Sequence, residues 1–114
     1  MARVKYLMLL PLTYNDQSRV PKAVLEEILE RIYVFSGGYT IAGAARGAYR
    51  MKSGQKQVDH SLQVWIVIDE AEEPELKRLV AEFCKLLDQE SIYLERTAGE
   101  VDFIPPDKHG GDNS

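Results

Sequence analysis

A nearly continuous apolar run near the start of the chain constrains the fold more than any other feature. Residues 4–12, VKYLMLLPL, include one charged side chain, Lys5, and lead into the polar stretch TYNDQSRV. A short run that is apolar at both odd and even positions is typical of a strand covered on both faces. The run is too short to cross a bilayer as a helix, and no small-residue cleavage motif follows it. We therefore predict a buried central strand in a cytoplasmic protein that does not contact a membrane.

Two segments show the periodicity of amphipathic helices. Pro21 suits the first helical position, and Gly37-Gly38 is expected to end the first helix. The apolar stripe of this helix comprises Val24, Leu25, Ile28, Leu29, Ile32 and Phe35. The second helix begins within EAEEPELK, which places carboxylates in its first turn, where the helix dipole favours them. Its stripe comprises Leu76, Leu79, Val80, Phe83 and Leu87.

Four further segments have strand patterns. The clearest is 58–69, VDHSLQVWIVID, in which apolar residues alternate with a second set that includes Asp59, Ser61 and Trp65. Residues 39–51, YTIAGAARGAYRM, are predicted to pair with it through a hairpin turn at KSGQ. SIYLER, 91–96, predicts the last strand, and GEVDFI, 99–104, a short additional edge strand.

The resulting order of elements is β-α-β-β-α-β. This order predicts an α+β protein of the ferredoxin-like plait, with two helices on one face of a four-stranded antiparallel sheet. Right-handed crossovers then place the strands in the spatial order 4-1-3-2. We assign residues 1–106 to a single ferredoxin-like domain and expect residues 107–114 to form a disordered polar tail.

Composition excludes several classes of function. The formal net charge of −4 in 114 residues argues against a nucleic-acid partner, which requires clustered Lys and Arg. Cys84 is the only cysteine and lies in the second helical stripe, so we interpret it as a small buried side chain. One His with scattered carboxylates has no recognisable ligand spacing, and we expect neither a metal nor a cofactor.

Polar side chains from four parts of the chain meet at one end of the predicted sheet. This end collects the ends of strands 1 and 2 and the starts of strands 3 and 4. It therefore holds a mixture of charges, hydroxyls and amides, the predicted ligand-binding set: Thr13, Asn15, Asp16, Arg46, Arg50, Asp59, Ser61, Gln89, Glu90 and Ser91. Arg50, with Arg46, is expected to bind an anionic group and to be oriented by Asp59 or Glu90. The alternative is an exposed cross-strand ion pair between Arg50 and Asp59.

His60 offers a second chemistry at the same end. With Asp59 or Glu90 nearby it could serve as a general base. Its position in the alternation with Leu62 points it toward the helices, where a histidine held by a local hydrogen bond is the competing interpretation.

The sheet face away from the helices is predicted to be apolar. It should display Thr40, Ala42, Ala44, Trp65, Val67, Tyr93 and Glu95 together with one row of strand 1. A face this apolar requires a cover, and a homo-oligomer, dimer or trimer, is the preferred interpretation. A stacking platform for RNA bases is disfavoured by the overall charge. Trp65 and Tyr93 are the predicted interface residues.

Four motifs, GGYT, GAYR, VDHSLQVWI and QESIYLERT, resemble a family of short bacterial proteins of unassigned function. The resemblance spans most of residues 5–104 and implies a ferredoxin-like plait. It also marks Arg50, Asp59, Ser61 and the Gln89–Ser91 stretch as matching positions. The strand order and the GAARGAYR segment are more loosely similar to PII-like regulators, although no matching nucleotide-binding motif is present.

Two functions follow from these patterns. The first is a soluble, oligomeric binding or regulatory module that takes a small polar or anionic ligand at the polar end of the sheet. The alternative is a cofactor-free enzyme of the dimeric α+β barrel type, in which His60 moves protons with Asp59 or Glu90 in a cavity between the helices and the sheet.

Overall fold

The computed structural model describes residues 2–107 and has the predicted order of elements. Strand β1 is Arg3–Pro11, helix α1 is Lys22–Ser36, strand β2 is Thr40–Arg50 and strand β3 is Lys56–Asp69. A short 3-10 turn, Glu70–Glu72, precedes helix α2, Glu73–Leu86, and strand β4 is Leu94–Arg96. The sheet order β2-β3-β1-β4, with antiparallel neighbours, confirms the ferredoxin-like α+β fold.

The core lies between the two helices and one face of the sheet. The even-numbered residues of β1 from Val4 to Leu10 are buried, and so are Val64, Ile66 and Ile68 of β3. They pack against Ile28 and Ile32 of α1 and against Leu76, Val80 and Phe83 of α2. The odd-numbered residues of β1 from Lys5 are only half-buried, so one chain covers a single face of this strand, and a cover on its second face stays a prediction. We call this second side the open face, which carries Lys5, Leu7, Leu9, Trp65, Val67 and Tyr93.

Several element boundaries differ from the predicted ones. Pro21 directly precedes α1 instead of forming its first residue, and α1 ends at Gly37, whose φ of 83° is left-handed. Strand β4 begins at Leu94, because residues 91–93 are not in strand conformation. Residues 99–104 form no strand. The segment 108–114, most of the predicted tail, lies outside the described residues, and the tail stays a prediction.

A β-bulge changes which residues of β2 face the helices. Ile41 pairs with Val64 and Gly43 with Gln63, so Ala42 between them has no partner. Gly43 adopts a φ of 123°, which strongly favours glycine. Beyond the bulge Ala44 pairs with Leu62, on the helix side. The prediction that Ala44 lies on the open face is therefore wrong, because one inserted residue reverses the alternation.

The β2–β3 hairpin extends past the rest of the sheet. β1 pairs with β3 only as far as Pro11 and Ser61. Residues 46–50 of β2 and 56–60 of β3 therefore project beyond β1 as a two-stranded arm, which the backbone after β1 meets, within the described residues, only through the hydrogen bond from Leu12 N–H to the His60 carbonyl. No residue of β2 is buried, so the arm and the edge strand are open to a ligand or partner.

At the opposite end of the sheet a polar group joins β1, α2 and β4. The hydroxyl of Tyr6 donates a 2.7 Å hydrogen bond to Oε1 of Glu73. Arg96 of β4 forms ion pairs with Glu70 and Glu73. This group ties the three-residue strand β4 to the start of α2.

Candidate functional site

The two faces of the arm carry different chemistry. Side chains of directly opposed residues in an antiparallel pair project from the same face. Arg46 is opposed to His60, and Arg50 is opposed to Lys56, with Ala48 and Val58 between them. We call this side, defined by Arg46, Arg50, Lys56 and His60, the basic arm face.

The other face of the arm belongs to a hydrogen-bonded polar network. Gln57 donates through Nε2 to Oδ1 of Asp59 at 3.2 Å and to Oδ1 of Asn15 at 3.3 Å. Asn15 in turn donates through Nδ2 to the carbonyl oxygen of Asp88 at 3.5 Å. This network links the loop after β1, the arm and the end of α2. Gln57 was absent from the predicted set, although its spacing of two residues from Asp59 indicated a shared face.

The predicted pairing of the arginines with Asp59 does not form. Asp59 is opposed to Gly47 and projects from the face opposite Arg46 and Arg50, because alternate residues of a strand point to opposite sides. The side chains of the two arginines form neither a hydrogen bond nor an ion pair within residues 2–107. The proposed cross-strand ion pair between Arg50 and Asp59 is therefore wrong, since Arg50 is opposed to Lys56.

The loop after β1 is a compact turn. Thr13 and Arg19 form an isolated antiparallel bridge, and the backbone N–H of Tyr14 donates to the carbonyl of Ser18. Asp16 accepts hydrogen bonds from the hydroxyl and the backbone N–H of Ser18, and these bonds lower the pKa of its carboxyl. The hydrogen bonds of Asp16 thus lie within the loop, and Asn15 is the loop residue that contacts the arm.

Residues 89–91 follow the end of α2 without joining the arm. The backbone N–H of Gln89 donates to the carbonyl of Cys84, and its Nε2 donates to the carbonyl of Leu87 at 3.2 Å. Glu90 and Ser91 are exposed, and their side chains have no hydrogen bond in the described part of the chain. The expected contact of Glu90 with Arg50 or His60 is therefore absent, and Gln89 serves mainly to close the helix.

His60 does not lie in a cavity between the helices and the sheet. It is exposed near the start of β3, and its side chain forms no hydrogen bond with any described residue. No polar or charged residue among those described is buried, and the space between helices and sheet is filled by apolar side chains. Ser61 is half-buried beside it. The arrangement brings no carboxylate into contact with the imidazole.

Large aromatic side chains remain accessible on the open face. Trp65 is 37% exposed and Tyr93 is 53% exposed. The Nζ atom of Lys5 lies 3.3 Å from the ring centroid of Trp65, a cation–π contact. The Tyr93 hydroxyl donates to Oε1 of Glu95 at 2.9 Å, and this bond raises the pKa of the phenol.

Two features are absent from residues 2–107. No helix in this range has the length and hydrophobicity needed to cross a membrane. No group of three or more His, Cys, Asp or Glu side chains there is placed to hold a metal ion. Cys84 is a free thiol that is partly buried.

Comparisons with known proteins identify the fold and not a family. No protein-family model and no curated protein sequence matches the chain. A phage SAM lyase in complex with S-methyl-5′-thioadenosine is similar in structure, with a TM-score of 0.63 and 17% identity over 84% of this chain and 81% of that chain. The divalent cation tolerance protein Cut A1 from Thermus thermophilus gives a TM-score of 0.59 and 13% identity over 96% and 92% of the two chains.

The apo form of the phage SAM lyase is also similar, with a TM-score of 0.54 and 15% identity over 91% of this chain and 93% of that chain. Likenesses at these identities show the shared fold alone. They fit the loose resemblance to PII-like proteins, whereas no match supports one specific family of short bacterial proteins.

Proposed function

We propose that the chain is a small binding module whose basic arm face takes an anionic ligand such as a phosphate or a carboxylate. The observation that carries the proposal is the pair of like charges at Arg50 and Lys56, which are directly opposed on the two strands of the arm. Like charges in this position destabilise a sheet, and a bound anion would remove the repulsion. Neither side chain has an acidic partner among residues 2–107.

The shape of the arm supports a small ligand at its tip. A shallow cavity of about 390 Å³ is lined by Ala48, Tyr49, Arg50, Gly54 and Lys56. Its two cations can donate several charge-assisted hydrogen bonds to one anion, and the guanidinium can do so in bidentate fashion.

Arg46 lies farther along the same face, directly opposed to His60. Four residues of extended strand separate the Cα atoms of Arg46 and Arg50 by about 13 Å, so Arg46 lies farther from the tip of the arm than Arg50 does. We assign the direct contact with the anion to Arg50 and Lys56. Arg46 adds positive electrostatic potential around that contact. Asn15 and Asp59 support the arm through the polar network. For Thr13, Asp16, Ser61 and Gln89–Ser91 the predicted ligand-binding role stays a prediction, separate from this primary contact.

We propose further that the module self-associates through the open face. Trp65 and Tyr93 leave a large aromatic area accessible, and a contiguous exposed apolar patch marks interaction surfaces in soluble proteins. A cytoplasmic location is consistent with this design and stays a prediction. A phage SAM lyase of similar fold forms a complex with S-methyl-5′-thioadenosine, which supports a small ligand on this fold.

The enzyme alternative lacks a supporting contact. His60 has no hydrogen bond to Asp59 or Glu90 in the described chain, so the carboxylate that would orient the imidazole is not in place. We therefore base the proposed function on binding.

Calorimetric titration of the full chain with inorganic phosphate and with pyrophosphate tests the anion site. Arg50→Gln and Lys56→Gln are each expected to weaken binding about tenfold, the scale of one charge-assisted hydrogen bond. Lys22→Gln, which removes an exposed cation at the start of α1, is the matched control and should leave binding unchanged. Equal affinity in all four proteins, or no binding of either anion, would refute the arm as the ligand site.

A further inference from the structure

A second cavity lies on the open face, at the end of the sheet opposite the arm. It has a volume of about 510 Å³, within the range of small-molecule sites. Its floor is formed by β1 and β3, and its walls are the turn after α1 and residues 101–103. We call it the aromatic groove, defined by Arg3, Lys5, Tyr39, Trp65, Val101 and Phe103.

Aromatic rings are unusually accessible in this groove. Trp65 and Tyr39 are 37% and 38% exposed, and Phe103 is 69% exposed. Burying exposed aromatic surface against a flat apolar ligand is favourable, and stacked or edge-to-face ring pairs contribute beyond the buried area. The groove therefore suits a planar aromatic ring.

Two cations project into the same space. Lys5 stands over the Trp65 ring with Nζ at 3.3 Å from the centroid, and the Arg3 guanidinium lies 5.4 Å from the centroid of Phe103. Arg3 also forms a 3.6 Å ion pair with Asp69. Its side chain remains 43% exposed, and the other N–H groups of the guanidinium can donate to a ligand. Lys5, the other cation that lines the groove, forms no ion pair with a carboxylate of the described residues.

We propose that the aromatic groove binds a small planar aromatic molecule that carries an anionic group, such as a carboxylate or a sulfonate. The ring packs against the parts of Trp65 and Phe103 that Lys5 and Arg3 leave uncovered, and the anionic group accepts hydrogen bonds from these two cations. Neither half of such a ligand alone satisfies both the rings and the cations, so the groove discriminates against neutral aromatics and against small anions. This site is separate from the basic arm face and does not depend on the anion bound there.

The single tryptophan makes the groove directly observable. Trp65 is the only Trp in the chain, so one indole N–H resonance in a nitrogen-15 NMR spectrum reports on this site. Titration with naphthalene-2-sulfonate is expected to shift that resonance, and calorimetry supplies the affinity. The neutral naphthalene-2-sulfonamide and the ring-free methanesulfonate should each bind at least tenfold more weakly.

Charge-removing variants test whether the two cations of the groove hold the anionic group. Lys5→Gln and Arg3→Gln should each weaken naphthalene-2-sulfonate binding about tenfold, while Lys77→Gln on α2 should have no effect. Circular dichroism melting establishes that each variant is folded. Equal affinity for the sulfonate and the sulfonamide, unchanged affinity in both cation variants, or an unmoved indole resonance would overturn the proposal.

Trp65 belongs also to the proposed self-association surface. A further variant therefore separates ligand binding in the aromatic groove from self-association. Tyr93 lies on the open face but does not line the groove. Tyr93→Ser should keep the affinity for naphthalene-2-sulfonate even where light scattering shows a smaller particle. Loss of ligand binding in Tyr93→Ser would contradict a groove formed within one chain.

Discussion

The hydroxyl of Tyr6, on the central strand, donates a 2.7 Å hydrogen bond to the carboxylate of Glu73 in the first turn of α2. Tyr6 is 1% exposed, so its phenolic ring is shielded from water, and its hydroxyl is hydrogen-bonded to Glu73. Burial, followed by the bond and the charge of that carboxylate, raises the pKa of Tyr6 to about 12. The same hydrogen bond lowers the pKa of Glu73.

Tyr6→Phe is expected to reduce the free energy of unfolding at pH 7 by about 1 kcal/mol, the scale of one hydrogen bond to a charged group that keeps other partners. Because the pKa of Tyr6 is raised on folding, its contribution is complete below pH 10 and is lost as the pH rises toward 12. Denaturant unfolding of both proteins between pH 7 and 12 should show the difference vanishing over that upper range. A constant difference would contradict the raised pKa.

Gly43→Ala tests the β-bulge. Gly43 has a φ of 123°, a conformation that costs a residue with a side chain about 1–3 kcal/mol. Gly38→Ala is the control, because Gly38 has an ordinary φ and open space around its Cα. Thermal unfolding should show a clearly larger loss for Gly43→Ala, whereas equal losses would argue against a strained bulge.

Gln57→Ala and Glu90→Ala should differ in their effects on stability. Gln57 bridges Asn15 and Asp59, so its removal breaks two side-chain hydrogen bonds and should cost about 1 kcal/mol. Glu90 is exposed and has no such bond within the described residues, so its replacement should change stability by a few tenths of a kcal/mol. Chemical denaturation measures both. A large loss of stability for Glu90→Ala would instead indicate that Glu90 belongs to the polar network of Asn15, Gln57 and Asp59.

Self-association through the open face should be sensitive to Tyr93 and insensitive to Tyr33. Both tyrosines are 53% exposed, but Tyr33 lies on α1, on the opposite side of the sheet. Burying an aromatic side chain contributes on the order of 2 kcal/mol, so Tyr93→Ser should raise the dissociation constant of the oligomer by more than tenfold. Light scattering over a concentration series tests this. A monomeric wild-type chain at micromolar concentration would refute the interface.

The identity of the elements was readable from local patterns. Leu62, Val64, Ile66 and Ile68 alternate with period two, and Leu76, Val80 and Phe83 recur at helical spacing, so strand and helix types were predicted correctly. The connection rules then left one strand order, and β2-β3-β1-β4 confirms it. Element types depend on residues close in sequence, and strand order follows from the general handedness of chain connections. Both can therefore be predicted from a single sequence.

The composition of the site depended on the register between strands. The sequence correctly assigned Asn15 and Asp59 to one end of the sheet, where Gln57 joins them. It could not place Arg50 opposite Lys56, nor Ala44 on the helix side, since both follow from pairings between strands. A single unpaired residue, Ala42, reverses the faces of everything beyond it on β2. Local periodicity therefore determined the elements of this protein, whereas tertiary pairing decided which charges meet, because side-chain faces are set jointly by two strands and by neither alone.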